Sequence, residues 1–576
     1  MWKRLNAILG RNSKSGELNM LNIDGVSITG KELADTFNTH FVCASRNQVP
    51  HNNLSDVVHI GDTVFLKPVE EADVTAAFHE LNNSTSIDID GLQIKPIRYI
   101  FDLILPYITH ILNLCVSTAV FPRKMQIARV TVIFKKGDKN QLGNYRPISI
   151  LPVFSKLLEK VILRNFLQFE EKHKIITAAQ YGFRKHRSTE LALLDQREYI
   201  LNELEHNRIV IGIFLDFSKA FDLLNHTILL RKLERCGFRG HALSLVQSYL
   251  MDRKQAVAIN GLLSDMQSVG CGVPQGSILG PFLFNLYIND IVHATPFVKF
   301  IIYADDTSIF LAGDNAAELT DTANNALKQI ENWSSRNALR INTAKTKVVV
   351  FRGRNKKVCL TKNIFLQSVP LEVVPSFKTL GILFNERMSW DDHVSFVTNK
   401  CSRIIGLLYK NREILPRNVM LMLYNSLIQS HFSYCHLTWG ATTAGNLQKL
   451  HLLQKKFLRI VENVSHTYHT AALFLKYNLL PITKLYDYRL SKCVKNEVLK
   501  NISFLSKLAG LEKRDAMYST RNIAQWNVKT YRTFYGNQTL ENKLPRLLNK
   551  LAQNDIDLQN TTRHKLFEYF FFLHYT

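Results

Sequence analysis

Three aspartates interrupt a chain that otherwise spends its apolar residues on an interior. Ile209-Val210-Ile211-Gly212-Ile213-Phe214-Leu215 is a short apolar run suited to a strand covered on both faces, and it stops at Asp216. Val298 to Tyr303 leads into Ala304-Asp305-Asp306, and Ser308 to Leu311 leads away, the pattern of a hairpin with acids at its tip. Carboxylate oxygens suit hard divalent cations such as magnesium. Two such ions about 3.5–4 Å apart stabilise both the attacking and the leaving oxygen of a phosphoryl transfer. An Asp-Asp pair alone carries little weight, because most are solvated turn residues. Acids at the ends of separate strands of one buried sheet carry more, because the sheet holds them without mobile loops.

The elements that must position these acids follow from length and pattern. The chain has 576 residues and 46% hydrophobic content, enough for several subdomains around a large core. Its 72 Lys plus Arg against 48 Asp plus Glu give a formal charge of +24, which points to a polyanionic partner such as nucleic acid, with an acidic membrane surface as the alternative. The sequence reads as having no apolar run of about 18 residues or more, and Met1 to Gly10 lacks the apolar centre of a signal peptide. The expectation is an intracellular protein of nucleus or cytoplasm, with no transmembrane segment and no membrane partner. None of the eight cysteines forms a Cys-x-x-Cys pair, which excludes zinc ribbons and knuckles and suits reduced, buried thiols. His431, Cys435 and His436 sit among apolar and aromatic neighbours and read as a packed helix.

Gly25 to Lys31 has the glycine and lysine spacing of a phosphate-binding loop, but Glu32 replaces the hydroxyl residue. An Asp24-Gly25 turn before a helix from Lys31 to Phe41 is the better reading. Helices are expected over Val69–Leu81 and Pro96–Ala119, then a strand over Arg129–Phe134 with a basic turn at Lys135 to Asp138. Beyond Asn385 the pattern is helical, over Asp392–Tyr409, Arg417–Tyr434, Leu447–Val461 and Ile482–Lys500. The fold class is therefore α+β. Phe567 to Phe572 is dense in aromatics, which suits either a core strand or an aggregation-prone end.

Five motifs around these acids carry a resemblance: Asn144 to Ser149 (NYRPIS), Gln180 to Arg184 (QYGFR), Asp216 to Asp222 (DFSKAFD), Val273 to Ser277 (VPQGS) and Tyr303 to Asp306 (YADD). Taken together and in this order, they resemble the reverse transcriptases of non-LTR retrotransposons, in particular the jockey-like group. The resemblance implies a right-hand polymerase with fingers over 64–205, a palm over 206–385 and a helical thumb over 386–485. The core domain would run from about 116 to 385, with a linker region over 1–63 and a C-terminal region over 486–576. It implies an RNA-directed DNA polymerase that copies an RNA template by adding dNTP units to a DNA primer.

By the same resemblance, two Mg2+ ions, or Mn2+ in their place, would be held by Asp216, Asp305, the more peripheral Asp306 and the carbonyl of Phe217. Arg146 would grip the triphosphate with its guanidinium fork, helped by Lys135. Phe221 would lie beneath the sugar and collide with a 2′-hydroxyl, favouring deoxynucleotides. Gln275 and Gly276 would bring backbone close to nucleotide or template. Lys345, in a segment with Trp333, Asn337, Leu339, Asn342 and Thr346, would protonate the departing pyrophosphate. Ser376 to Gly381, with Leu380 and Gly381 at its turn, would steady the primer end. Elements of this family carry an endonuclease ahead of the polymerase. Only about 60 residues precede the fingers here, too few for that domain, and Asn6 to Arg11 looks like the linker that follows it. A truncated element, or a reading frame that begins late, is the expectation, with no recognisable ribonuclease H segment. Two rivals are an RNA-binding protein that kept the fold and lost catalysis, and a cellular polymerase such as telomerase.

Overall fold

Ile209–Leu215 is buried along its whole length, so it must lie inside a sheet with both faces covered. In the computed structural model, which describes residues 18–23, 25–43, 59–514 and 525–572, it is the central strand of five. Lys347–Phe351 and Asp306–Gly313 flank it, both antiparallel, and Lys299–Tyr303 closes one edge beside Asp306–Gly313. At the other edge Glu372–Val373 runs parallel to Lys347–Phe351.

Alternation along the central strand divides the interior in two. Ile209, Ile211, Ile213 and Leu215 join a core with Leu319, Ala323, Leu327 and Ile330 of helix Ala316–Arg336 and with helix Gly280–Ile288. Val210 and Phe214 join a second core with helix Thr189–Glu205 and the helices that follow Asn385. Gly212 lies between two rings: a Cβ there would come within 2.8 Å of Phe351 and 2.9 Å of Phe310, so only glycine lets them close over the strand.

A second sheet holds, in order, Tyr145–Ile150, Ile127–Phe134, Lys254–Ile259 and Leu262–Leu263. On it pack a hairpin, Met20–Ile23 with Val26–Thr29, and helix Gly30–Cys43. They bury Leu21, Leu33 and Phe37 against Val130, Tyr145 and Val257. Gly25, with φ +84°, makes the hairpin turn, so the segment resembling a phosphate loop is a turn and a helix start. Asp24 and residues 6–11 lie outside the described residues.

The C-terminal helices are bolted to helix Thr189–Glu205 by its charged residues. Arg197 is fully buried against Glu198, and its Nη1 donates to the carbonyls of Leu437 (2.6 Å) and Thr438 (3.1 Å). Glu198 accepts the Leu540 N–H at 2.7 Å, and Glu190 accepts the Leu437 N–H at 3.0 Å. Breaking such a buried pair from one side costs about 3–5 kcal/mol.

Several expectations are corrected. Helix Ile482–Lys500 runs unbroken across 485/486, where the helical region and the C-terminal region were expected to meet. The described part of the expected N-terminal linker is a packed hairpin and helix. Lys254–Ile259 lies inside the range 206–385 but pairs with Ile127–Phe134, so that stretch belongs to the second sheet. The single helix expected over Arg417–Tyr434 is Arg417–Leu423, a wider π turn over Tyr424–Gln429 and Ser430–Ser433, ended by Cys435 at φ +46°. The aromatic end is helix Arg563–Phe572, with Leu566, Phe570 and Phe571 buried.

Among the described residues, one helix is long and apolar enough to cross a membrane, Ile94–Thr118. A search for an uninterrupted apolar run passes over it, because Lys95, Arg98 and Asp102 stand near its start. Phe101, Ile108 and Leu112 anchor it in the core, while Tyr99, Leu103 and Tyr107 are 91%, 75% and 72% exposed. His436 is buried edge-on to Trp439, with ring centroids 4.6 Å apart, and burial pushes its ring down to about 3: a packed histidine, as expected.

Candidate active site

Strand register brings the acids together. The last recorded pair between the two inner strands is Thr307 with Leu215, so the next residues, Asp306 and Asp216, emerge at the same end of neighbouring strands. Tyr303 pairs with Asp306, leaving Ala304-Asp305 as a two-residue turn with Ala304 left-handed at φ +57°.

Beyond Asp216 the chain is held from its other side. The Asn342 N–H donates to the Asp216 carbonyl at 2.7 Å, and the Ser218 N–H donates to the Arg340 carbonyl at 2.8 Å, flanking an antiparallel bridge of Phe217 with Ile341. In that arrangement the bonds belong to the residues on either side, so the Phe217 carbonyl points away from Ile341 and toward the side of the Asp305 hairpin.

The acids press on one another electrostatically. Burial, then the charge of Asp216, holds Asp305 above the usual carboxylate range. Asp306 is open to water at its surface yet flanked by much protein. Burial, then Asp305 and Asp216, pushes it up to about 6. Three cations oppose this. Lys345 Nζ is 3.4 Å from Asp216 Oδ2, and the fields of Lys135 and Arg146 reach both Asp305 and Asp306. Lys135 is itself held below the usual lysine range, by burial first and then by Arg146 and Lys345.

A carboxyl raised in the folded state binds its proton more tightly there than in the unfolded chain. Its ionisation therefore opposes folding, the penalty is complete above about pH 6, and it fades as pH falls toward the unfolded value. Without divalent ions, Asp306→Asn should melt above wild type at pH 8, with the gap closing toward pH 4. A gap that is constant with pH would contradict the raised carboxyl.

The donor set fits a hard divalent cation, although it is not gathered as a ready shell. Asp216 Oδ2 is buried without a hydrogen-bond partner, and it lies beside the Asp305 hairpin and the side to which the Phe217 carbonyl points. The Lys345 ammonium stands 3.4 Å from that oxygen, and the charges of Lys135 and Asp216 act on each other. Among the described residues no three His, Cys, Asp or Glu side chains converge closely enough to hold an ion.

The remaining candidates surround this end of the sheet. Arg146 pairs across the second sheet with Ile133, and the Lys135 N–H donates to the Asn144 carbonyl at 2.9 Å, so one ladder carries both cations. Lys345 sits in a tight turn closed on Asn342, whose Oδ1 accepts the Lys345 N–H at 3.2 Å. Phe221 is half-buried and stacked on Phe284 at 4.3 Å and 19°, so one ring face is backed by the core. Gln275 Nε2 donates to Asp222 Oδ1 at 2.8 Å, and the Ser149 N–H donates to the Gln275 carbonyl at 2.8 Å. The close approach at Gly276, with φ +124°, is to the Ser149 carbonyl, 2.5 Å from where a Cβ would stand. Leu380 and Gly381, at φ +43° and +87°, turn the hairpin Ser376–Thr379 with Ile382–Asn385. Tyr434 braces that turn by donating to the Leu380 carbonyl at 2.8 Å, and Tyr303, of the acid hairpin, is among the groups acting on it.

Sequence reasoning gave no role to Asp222, Tyr434 or Glu159. Glu159 is fully buried and accepts the N–H groups of Ile278 (2.8 Å) and Leu279 (3.0 Å), fixing the loop after Gly276. Helix Val153–His173 also carries Lys156, Lys160, Arg164, Glu170 and Glu171, so no local signal set Glu159 apart.

Residues 133–384 match the family described as reverse transcriptase (RNA-dependent DNA polymerase). The chain is 28% identical over 387 residues to the RNA-directed DNA polymerase from mobile element jockey of Drosophila melanogaster, covering 64% of this chain and 41% of that one. It is 26% identical over 363 residues to the probable RNA-directed DNA polymerase from transposon X-element of the same organism (62% and 40%). To the one from transposon BS it is 25% identical over 457 residues (77% and 50%). The matched region thus spans between two fifths and one half of the length of these relatives.

Proposed function

We propose, from the match of residues 133–384 to the reverse transcriptase family, that this chain is an RNA-directed DNA polymerase of a non-LTR retrotransposon, adding dNTP units to a DNA primer on an RNA template. The observation that carries this reading is the delivery of Asp216 and the Asp305-Asp306 hairpin to one end of adjacent antiparallel strands, ringed by Lys345, Lys135 and Arg146. Names borne by relatives of the same family point the same way.

Asp216, Asp305, Asp306 and the Phe217 carbonyl would hold the divalent ions, Mg2+ or Mn2+, which when bound supply charge neutralisation to the phosphoryl transfer. The rest is the work of the chain's own groups. Arg146, with Lys135, binds and orients the triphosphate on the rigid ladder they share. Lys345 holds a proton at Nζ for the departing pyrophosphate. Phe221, backed by Phe284, presents a wall beneath the sugar, and the hairpin at Leu380-Gly381 steadies the primer end. In this reading the five-stranded sheet is the palm, the second sheet belongs to the fingers, and the helices after Asn385 are the thumb. The +24 charge would track template and primer phosphates, so affinity falls steeply with added salt. Such substrates place its work inside the cell, in nucleus or cytoplasm.

The test is primer extension on an RNA template with magnesium, wild type against Asp305→Asn. Extension by wild type alone is the expected result, and equal signals would remove the assignment. Phe221→Val should admit ribonucleotides by removing the ring that meets the 2′-hydroxyl. If the ratio of ribonucleotide to deoxynucleotide kcat/KM stays where it is in wild type, the steric role is wrong.

A further inference from the structure

Behind the acid hairpin lies a contact outside the metal-binding set. Residues Ala179 to Tyr181 add a short parallel stretch to the edge strand Lys299–Tyr303: the Tyr181 N–H donates to the Ile302 carbonyl at 2.7 Å and the Ile302 N–H to the Ala179 carbonyl at 2.9 Å. Gln180, 1% exposed, turns its Oε1 into the hairpin, where it accepts the N–H of Gly182 at 2.8 Å and that of Ala304 at 3.0 Å. Its Nε2 is buried without a partner, so burying this amide is costly at one end and is offset at the Oε1 end. Gly182 presses against the same turn: a Cβ there would stand 2.4 Å from the Ala304 nitrogen. Asn285 in turn holds Gly182, donating to its carbonyl at 2.9 Å.

Ala304 is the residue whose conformation decides where Asp305 stands. Its left-handed backbone, at φ +57°, is unfavourable for a residue with a Cβ and persists only where the surroundings over-determine it. We propose that Gln180 is a positioning residue, a latch that pins the Ala304 N–H and thereby fixes Asp305 against Asp216. It touches neither substrate nor metal, and the proposal rests on the polymerase reading above. Without the latch, the two-residue turn loses the acceptor that holds its first N–H, and Asp305 drifts from its place.

Two readouts test this, one independent of activity. Hydrogen exchange of the Ala304 amide should quicken at least about tenfold in Q180L, with the inner-strand amides Ile309 and Phe310 unchanged. In primer extension, kcat should fall about 100-fold with the dNTP KM nearly constant, the mark of a misplaced reacting group. Q180E, which keeps an acceptor oxygen at that place, should restore slow exchange and most of kcat. Q180M is a second acceptor-free variant should Q180L fail to fold. Unchanged Ala304 exchange in the acceptor-free variant would overturn the latch, as would quickened exchange with normal kcat. If wild type itself extends no primer, the polymerase reading falls, and the exchange data alone support or overturn the latch.

Discussion

Asp216→Asn should cut primer extension by at least about 100- to 1000-fold, the scale of losing one preorganised electrostatic partner, while raising the melting temperature of the ion-free protein. The two effects have opposite signs for one reason. Asp216 ends a buried strand beside the Asp305-Asp306 hairpin, and its charge contributes to holding both of those carboxyls above their usual range. Removing that charge relieves repulsion in the folded state. The ion pair with Lys345 offsets little, since that ammonium is 57% exposed and its partner 37%. Asparagine keeps the shape and one oxygen, but not the charge a divalent ion needs. The measurement pairs extension kinetics with melts at pH 8 in chelator. A variant that loses activity and melts lower would mean that Asp216 is a structural acid, and one that keeps activity would end the two-metal reading.

Gly276→Ala should be the most damaging small substitution. Its φ of +124° is closed to residues with a Cβ, and the added methyl would stand 2.5 Å from the Ser149 carbonyl. Backbone cannot yield as a flexible side chain does, so the loop carrying Gln275 must leave the strand Tyr145–Ile150 that carries Arg146. The hydrogen bond from the Ser149 N–H to the Gln275 carbonyl would be lost with it. Backbone strain of about 1–3 kcal/mol adds to overpacking of similar size, and the site loses the alignment of its two walls. A drop of a few kcal/mol in urea unfolding, together with a dNTP KM raised at least about tenfold, is the expected outcome. Wild-type values for both would show that the loop is free to move.

How much of this could be read in advance varies from element to element. Ile209–Leu215 was legible because an apolar run with no polar alternation fits only a strand covered on both faces. Helix Ile482–Lys500 was legible to the residue, because its pattern is bounded by Pro481 and by Asn501 in the left-handed conformation that ends helices. The aromatic end was ambiguous because its rings sit at consecutive positions, where helix and strand periods cannot be told apart. Docking on helix Ile482–Lys500, where Phe570 and Phe567 meet Tyr488, settles it as a helix.

Within the site, residue types and local order singled out Asp216, Asp305 and Asp306, because strand ends and turns are short-range facts, and the family resemblance carried by the motifs added Arg146 and Phe221. The register that sets Asp216 beside Asp306 depends on strands 90 residues apart choosing one pairing, and burial of both faces enforces that choice. The contact of Gln180 with Ala304 spans 124 residues, and that of Gly276 with Ser149 joins a loop to a strand much earlier in the chain. Local pattern is blind to such pairs, since hydrogen-bond and van der Waals constraints act through space. The amino-acid order by itself therefore singled out the groups proposed to hold cations and phosphate. Only the tertiary structure decided which backbone atoms hold those groups in place, because the holding contacts join residues far apart in the chain.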